Sequence, residues 1–376
     1  MARRQEKEPA RSEVTEVAPN VLRMELPIHL PGLGHVNCYA ITDSEGAAVV
    51  DPGLPGPGTW KTLQERLGQA GLQASDVHTV VVTHSHPDHF GCAVRFAKES
   101  GAKIVAHRSF HFGPYAAADE PDVCVDELAL HHRHTHGPDD EDDDEGEIPE
   151  SLREAVEEAN RILLRARAEG TTPWGGERPR PPLWTRLRWQ AMRLLGGTFI
   201  PTITHPVEHG DVLMLAGREW FVVHTPGHTS DHFCLHDPQG RVMLAGDHVL
   251  PTITPHISGI ASSPDPLASF FYSLDRVAEI KGVERVLPAH GHPFEDLPGR
   301  TEAIKRHHVE RLDTVKEISK ELGPATVQQF SQQLFKPRSW GSMAESETYA
   351  HLEHLRIAGQ AERYHDDDGR LVYVAG

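Results

Sequence analysis

The feature that most constrains this chain is the stretch Thr-His-Ser-His-Pro-Asp-His at residues 83–89, which directly follows an apolar run typical of a buried strand. Side chains two residues apart on an extended backbone project to the same side, so His84 and His86 can converge on one point. The proline forces a turn, which lets Asp88 and His89 converge on a second point nearby. Because imidazoles and carboxylates are ligands of Zn²⁺, Mn²⁺ and Fe²⁺, the stretch predicts a metal site at a strand end.

Three further ligand candidates occur downstream, each at the end of an apparent strand: His228, Asp247 and His290. Strand-end loops are where α/β proteins place their chemistry. Together with the first stretch they give five histidines and two aspartates, enough for two metal ions that share a carboxylate. This recurrence disfavours the alternative that the first stretch is only a polar surface loop.

Length and composition bound the remaining possibilities. At roughly 150 residues per domain, 376 residues suggest two domains, or one large α/β domain with an appendage. The net charge of −18, of which the acidic run at 139–147 supplies eight charges, disfavours general nucleic-acid binding. The four cysteines lack CxxC spacing, and we see neither a signal peptide nor an apolar run near the ~20 residues of a membrane span. We therefore expect a cytoplasmic protein with reduced thiols.

Hydrophobic patterning predicts an α/β layered fold after a flexible tail at residues 1–18. In the first half we predict strands at 21–25, 37–42, 47–50, 78–82 and 103–106, with helices at 59–70 and 88–99. In the second half we predict strands at 212–215, 219–224, 233–236, 242–245 and 283–287, with a helix at 266–280.

Residues 108–203 interrupt this pattern, and we interpret them as a helical insertion over the core. A helix is predicted at 151–169, and the histidine-rich and acidic stretch at 131–147 is expected to be disordered rather than to bind metal. A basic, aromatic helix at 184–195 is interpreted as a lid, in which apolar groups hold an acyl chain and arginines meet an anionic group. Its candidate substrate contacts are Trp184, Arg186, Arg188 and Trp189. Simple packing on the core and contact with a membrane surface are the alternatives.

The C-terminal residues 298–376 are predicted to form a winged-helix module. Helices at 301–322, 326–335 and 346–358 precede a hairpin of strands at 361–364 and 371–374. The hairpin turn Asp366-Asp367-Asp368 is acidic, and so are residues in and beside the third helix, which would repel phosphates. The module is therefore expected to pack on the α/β domain or to form a homodimer contact rather than to bind nucleic acid.

Over residues 17–293 the sequence resembles the metallo-β-lactamase superfamily, and more narrowly its glyoxalase II-like hydrolases. The family pattern HxHxDH matches residues 84–89, and the PGHT, GD and GH elements match His228, Asp247 and His290. Asp51 matches an early structural aspartate. The C-terminal module is similar to the winged-helix domain appended to a subgroup of these hydrolases.

The resemblance implies an αββα sandwich over residues 19–297, with the site at one edge of two sheets. It also implies two divalent metal ions, with Zn²⁺ favoured and Fe²⁺ or Mn²⁺ as alternatives. Asp247 would bridge the two ions. His232 and His248 flank the ligands in the sequence, and we interpret them as facing the site and hydrogen-bonding to the ligands, with a plain structural role as the alternative. The implied ligands are His84, His86 and His228 on one ion, and Asp88, His89 and His290 on the other.

This site predicts hydrolysis by a metal-bound hydroxide, with Asp88 as the catalytic residue that orients it. We expect a thioester, an ester or a lactone of a small acyl substrate. A metal-dependent endoribonuclease acting on single-stranded RNA is the main alternative, and a non-catalytic metal-binding protein is a third. A true β-lactamase is disfavoured, since Asp247 stands where one zinc-binding subclass has a cysteine ligand.

Overall fold

The computed structural model of the chain describes residues 4–112, 150–176, 183, 199–260 and 263–376. The stretch at 131–147 lies outside the described residues. So do the four predicted lid residues Trp184, Arg186, Arg188 and Trp189.

Seven strands form the first sheet in chain order: β1 (Thr15–Ala18), β2 (Val21–Leu30), β3 (Leu33–Thr42), β4 (Ala47–Val50), β5 (Val77–Val81), β6 (Lys103–His107) and β7 (His205–Val207). Strands β1 to β4 pair antiparallel, and β4 to β7 pair parallel. Strand β7, which returns the chain to this sheet after the insertion, was not predicted from the sequence. The apolar strand β5 pairs with strands on both sides, as its sequence predicts.

Five strands form the second sheet: β8 (Val212–Leu215), β9 (Arg218–His224), β10 (Phe233–Asp237), β11 (Val242–Gly246) and β12 (Arg285–Pro288). Their order is β12-β11-β10-β9-β8, and every pair is antiparallel except β11 with β12. Both sheets therefore contain parallel neighbours whose carboxyl ends meet at one edge.

The described helices are α1 (Pro57–Gln69), α2 (Pro87–Phe90), α3 (Ala93–Glu99), α4 (Glu150–Glu169), α5 (Pro266–Ala278), α6 (Leu297–Leu322), α7 (Val327–Leu334) and α8 (Ser342–Ile357). Val81 and Trp220 belong to the buried core between the two sheets. Trp60 of α1 joins the core on the outer face of the first sheet, and Phe270 of α5 joins that of the second. This layering confirms the predicted αββα sandwich. None of the helices that the structure describes combines the length and apolarity needed to cross a membrane.

The sequence predicts a single helix at 88–99, but the chain forms two helices, α2 and α3, separated by Gly91 and Cys92. The loop at Pro55 lies so close that a Cβ on Gly91 would sit 2.1 Å from the Pro55 nitrogen. The break thus coincides with a close backbone approach that only glycine allows.

The described part of the N-terminal segment is not the flexible tail that the sequence predicts. A short 3₁₀ helix occupies Gln5–Lys7, and strand β1 pairs with β2. The fully buried carboxylate of Glu6 accepts hydrogen bonds from the backbone nitrogens of Thr252 (2.8 Å) and Ile253 (3.1 Å). Because buried polar groups need partners, these bonds fix the segment on the body of the protein.

The C-terminal module consists of α6, α7, α8 and a small sheet of β13 (Ala325–Thr326), β14 (Ala361–His365) and β15 (Leu371–Ala375). The element order agrees with three helices and a hairpin, while its classification as a winged helix stays a prediction. Phe330 and Tyr373 of the module share one buried core with Phe270 of the second sheet's helical layer. The module therefore packs directly on the sandwich.

Helix α4 occupies a different place from the one predicted for the insertion. Its buried Val156 and Ala159 pack against Ile357 of α8, and the Arg356 guanidinium donates to the Ala155 carbonyl at 2.9 Å. The apolar stripe of α4 thus faces the C-terminal module rather than the core of the sandwich.

Candidate metal centre

All seven predicted ligands lie just beyond the carboxyl ends of strands, along the edge shared by the two sheets. His84 and His86 follow β5, and Asp88 and His89 open the short helix α2. The other three follow strands of the second sheet: His228 comes after β9, Asp247 after β11 and His290 after β12. Every one of them is buried except His86, which is half-buried.

The first cluster contains His84, His86, His228 and Asp247, whose ligand atoms lie within 4.8 Å of one another. The Nδ1 atom of His86 lies 3.0 Å from Nε2 of His84 and 3.1 Å from Nε2 of His228. Oδ2 of Asp247 lies 3.5 Å from Nε2 of His228. Three imidazole nitrogens and a carboxylate oxygen therefore point at one small volume.

The second cluster contains Asp88, His89 and His290. Oδ2 of Asp88 lies 3.6 Å from Nε2 of both histidines. Asp247 reaches this cluster too, because its Oδ1 lies 3.3 Å from Nε2 of His290 and its Oδ2 lies 3.6 Å from Nε2 of His89. The Asp247 carboxylate thus stands between the clusters and contacts both.

Four ligand histidines have their Nδ1 atom engaged away from the clusters. The partners are Thr83 Oγ1 for His84 at 3.1 Å, Asp51 Oδ2 for His89 at 2.9 Å, the His256 carbonyl for His228 at 2.7 Å and the His35 carbonyl for His290 at 2.6 Å. An imidazole that donates its Nδ1–H in this way keeps its lone pair on Nε2. Each ring is therefore held in the tautomer that a metal ion requires.

Several atoms facing the clusters have no hydrogen-bond partner among the described residues. Nε2 of His89, Nε2 of His290 and Oδ1 of Asp247 are buried in this condition. Buried polar atoms in proteins are almost always satisfied, and a cation would satisfy these three. The His and Asp clusters fit a dinuclear metal site, and this set of ligands suits zinc, iron and manganese alike.

The charges around His89 favour a cation. Burial lowers the pKa of this imidazole, but the carboxylates of Asp88, Asp247 and Asp51 outweigh it and raise the pKa to about 10. Burial raises the pKa of the Asp247 carboxyl, but the neighbouring His290 and His89 outweigh this effect and hold the pKa well below its usual range. The carboxylates of Asp88 and Asp247 therefore place negative charge where positive ions would bind, and that of Asp51 adds to it from the other side of the His89 ring.

Asp51 fixes the start of the histidine stretch instead of facing the clusters. Its Oδ1 accepts from the Thr83 backbone nitrogen (2.9 Å), and its Oδ2 accepts from Thr83 Oγ1 (2.8 Å) and from His89 Nδ1 (2.9 Å). Its φ of 54° lies in the left-handed region, which aspartate tolerates better than most residues. One carboxylate thus orients a ligand ring and the strand end that carries two others.

His232 supports Asp247 from behind. Its Nε2 accepts from the Asp247 backbone nitrogen at 3.0 Å, and its Nδ1 lies 2.7 Å from Thr225 Oγ1. Gly246, at φ 50°, leaves room for this ring, since a Cβ there would meet His232 Nε2 at 2.4 Å. His248 differs: its ring packs on those of His232 and Phe270, and no hydrogen bond among the described residues joins it to a ligand candidate.

His35 and His256 have no role that the sequence predicts, yet both orient ligand rings. Each acts through its backbone carbonyl, which every residue type has. No signal in the sequence marks such a partner, so only the structure could reveal it.

A family model for the metallo-beta-lactamase superfamily matches residues 31–290, which carry all seven ligand candidates. The chain belongs to this superfamily. The narrower glyoxalase II-like subtype stays a prediction.

Curated relatives of this superfamily member include a lactamase-like protein, vrtG, from Penicillium aethiopicum, which is 34% identical over 29% of this chain and 33% of its own length. An atrochrysone carboxyl ACP thioesterase from Aspergillus fumigatus is 30% identical over 32% of this chain and 27% of its own length. These two matches span about a third of each relative or less. A probable metallo-hydrolase, YqjP, from Bacillus subtilis matches at greater length, with 23% identity over 91% of this chain and 93% of its own.

Among solved structures, the metallo-beta-lactamase family protein TTHA1429 from Thermus thermophilus aligns with a TM-score of 0.67 and 27% identity. The alignment covers 96% of this chain and all of that one. The likeness therefore extends through the sandwich and the C-terminal module.

Proposed function

We propose that this protein is a two-metal hydrolase that cleaves a thioester, or a related ester or lactone, of a small acyl substrate. The observation that carries the proposal is the position of Asp247, whose carboxylate contacts both clusters of buried, oriented ligands. His84, His86 and His228 would hold one ion, and Asp88, His89 and His290 the other. Zn²⁺ is the ion we favour for this set.

When bound, such a pair of ions lowers the pKa of a shared water toward neutrality and polarises the oxygen of the electrophile. The chain's own residues supply positioning. Oδ2 of Asp88 lies 3.6 Å from Nε2 of His89 and from Nε2 of His290, where these three residues would hold one ion. From this position the Asp88 carboxylate would accept a hydrogen bond from the attacking water and orient it. Burial of the ligands keeps bulk water from their donor atoms.

Two observations support an acyl substrate. A curated relative carries the name of an acyl-carrier-protein thioesterase, although it matches only 32% of this chain. The aromatic and basic residues at 184–195, which lie outside the described residues, have the composition expected of a lid over an acyl chain and an anionic group.

Two observations weigh against the endoribonuclease alternative. Much of α8, the helix that a winged-helix domain would present to nucleic acid, is buried against its neighbours, and its Glu347 and Glu353 are engaged in ion pairs. The wing turn at 366–368 is acidic, and acidic surfaces repel phosphates.

The direct test is a substrate panel of acyl-glutathione, acyl-CoA, lactones and single-stranded RNA, assayed with metal-loaded protein. We expect thioester hydrolysis that is abolished in Asp88→Ala and His86→Ala, because each variant removes a ligand. Asp367→Ala, an exposed aspartate in the hairpin turn, is the matched control and should retain full activity. Degradation of RNA that falls steeply with added salt, with no turnover of the acyl substrates, would refute the proposal in favour of a nuclease.

A further inference from the structure

The loop at 251–260 connects the metal centre to the C-terminal module. It follows Asp247 in the chain, and its His256 carbonyl accepts the Nδ1–H of His228 at 2.7 Å. This contact directs Nε2 of His228 toward His86 and Asp247, at 3.1 and 3.5 Å. The position of one backbone carbonyl therefore decides whether His228 faces the first cluster.

Helix α8 of the C-terminal module holds this loop. The Nδ1–H of His256 donates to Oε2 of Glu347 at 3.1 Å. Three residues further along the loop, the Gly259 nitrogen lies 3.0 Å from Oγ of Ser346 and 3.2 Å from its carbonyl. The approach is so close that a Cβ on Gly259 would lie 2.5 Å from Cδ1 of Tyr349. Contacts at both ends of 256–259 therefore fix the loop on one face of α8.

Glu347 is itself firmly placed. Its side chain is 14% exposed and pairs with the guanidinium of Arg311 on α6. Burial raises the pKa of this carboxyl, but the hydrogen bond from His256 and the charge of Arg311 bring it to about 2. Glu347, which lies on α8, is therefore ionised at neutral pH, and its ion pair with Arg311 ties it to α6.

The other oriented ligands are held differently. Thr83 and Asp51 orient the rings of His84 and His89, and the His35 carbonyl orients that of His290, all from the first sheet and its loops. Among the four engaged Nδ1 atoms of the described site, only that of His228 has a partner, His256, that hydrogen-bonds to α8.

We propose that Glu347 is a positioning residue of the metal centre, which holds His256 so that its carbonyl orients His228. The C-terminal module is thereby part of the first metal site and not only an appended domain. The inference rests on the proposed two-metal centre and adds that one half of it depends on α8.

The test is a chelator-competition titration of Zn²⁺ with the full-length protein, which yields two dissociation constants. In Glu347→Ala we expect one constant to rise on the order of 10–100-fold, the range typical for partners behind a metal ligand, while the other stays within about threefold. Glu347→Gln keeps an acceptor oxygen for His256 and should recover most of the affinity. His256→Ala removes the same link from outside the module and should reproduce the loss. The double variant should be no weaker than either single one.

Glu353→Ala is the matched control, because Glu353 is a buried, ion-paired glutamate on the same helix that contacts Arg356, Arg363 and Tyr373 instead of the loop. It should lower the melting temperature and leave both constants unchanged. The inference is overturned if Glu347→Ala and His256→Ala bind both ions as tightly as the wild type. It is equally overturned if Glu353→Ala weakens the same site to the same extent. Wild-type protein that binds fewer than two ions would refute the two-metal centre itself.

Discussion

At the scale of single residues, His89 illustrates how a ligand is prepared before any ion binds. Its Nδ1–H is committed to the Asp51 carboxylate at 2.9 Å, and its Nε2 is buried with no hydrogen-bond partner among the described residues. A metal ion or a proton bound to that nitrogen offsets the cost of burying it. The carboxylate behind the ring also increases the basicity of the imidazole.

Replacing Asp51 by Asn tests this arrangement. Asparagine tolerates the positive φ at this position, so the change isolates the carboxylate. In the variant, the side-chain amide nitrogen would donate a hydrogen bond to Nδ1 of His89, whereas the Asp51 carboxylate oxygen now accepts one from it. The His89 ring would then carry its proton on Nε2, the nitrogen that a metal ion needs. We expect the affinity for one of the two ions to fall about 10–100-fold. Equilibrium dialysis measures this, with Asp43→Asn in a surface turn as the control, and an unchanged affinity in Asp51→Asn would contradict the account.

The seven ligand candidates could be predicted from the sequence because side-chain type and strand-end position carry the signal. The partners of His228 and His290 could not, since backbone carbonyls leave no mark in the sequence. His232 was expected behind the site and hydrogen-bonds to Asp247, whereas His248, expected in the same role, packs through its ring.

At the scale of elements, the two sheets meet at the site through the ends of their strands. His107 ends β6 of the first sheet, and His224 ends β9 of the second. Their rings stack with centroids 4.0 Å apart and planes 6° from parallel. The buried imidazole of His107 and the half-buried one of His224 cannot both become charged without repulsion, so the contact links pH to the packing of one sheet on the other.

This stacked pair predicts a loss of stability in acid. Burial and the neighbouring His224 lower the pKa of His107 from 6.5 to about 3. Burial, together with Arg276, lowers that of His224 to about 4. The unfolded chain then binds more protons than the folded chain below pH 6.5, so stability falls as the pH drops from 6.5 toward 4.

Melting temperatures of metal-stripped protein across this range provide the measurement. His107→Phe keeps a stacked ring without a titrating group, so its melting temperature should fall less between about pH 7 and pH 5 than that of the wild type. His205→Phe, an exposed histidine nearby, should leave the pH dependence unchanged. A His107→Phe curve parallel to the wild type would show that the pair does not govern this dependence.

Elements with strong periodicity could be predicted from the sequence, including α1, α5 and most strands of both sheets. The elements that were missed depend on tertiary contacts. Strand β7 has only three residues and exists because β6 offers a free edge. The N-terminal segment is ordered through Glu6, whose partners lie about 246 residues away in the chain.

At the scale of the whole molecule, the C-terminal module is inseparable from the sandwich. Val315, Phe330 and Tyr373 of the module belong to the same buried core as Phe270 and Leu274 of α5. The sequence pattern changes near residue 298, where the domain boundary was predicted, but one hydrophobic core extends across that boundary.

The described part of the insertion also docks on the module. Helix α4 packs on α8, and in the segment at 171–176 the Trp174 indole donates to Glu345 at 3.2 Å. The module thus joins this part of the insertion to the loop beside the metal centre.

We propose that two ions held by these seven residues enable the protein to hydrolyse acyl substrates. The most direct measurement is the rate of thioester hydrolysis as Zn²⁺ is added stepwise to metal-stripped protein. The rate should rise to a plateau at two equivalents per chain and disappear when a chelator removes the ions. Turnover that is unaffected by the chelator, or no turnover with two ions bound, would contradict the claim.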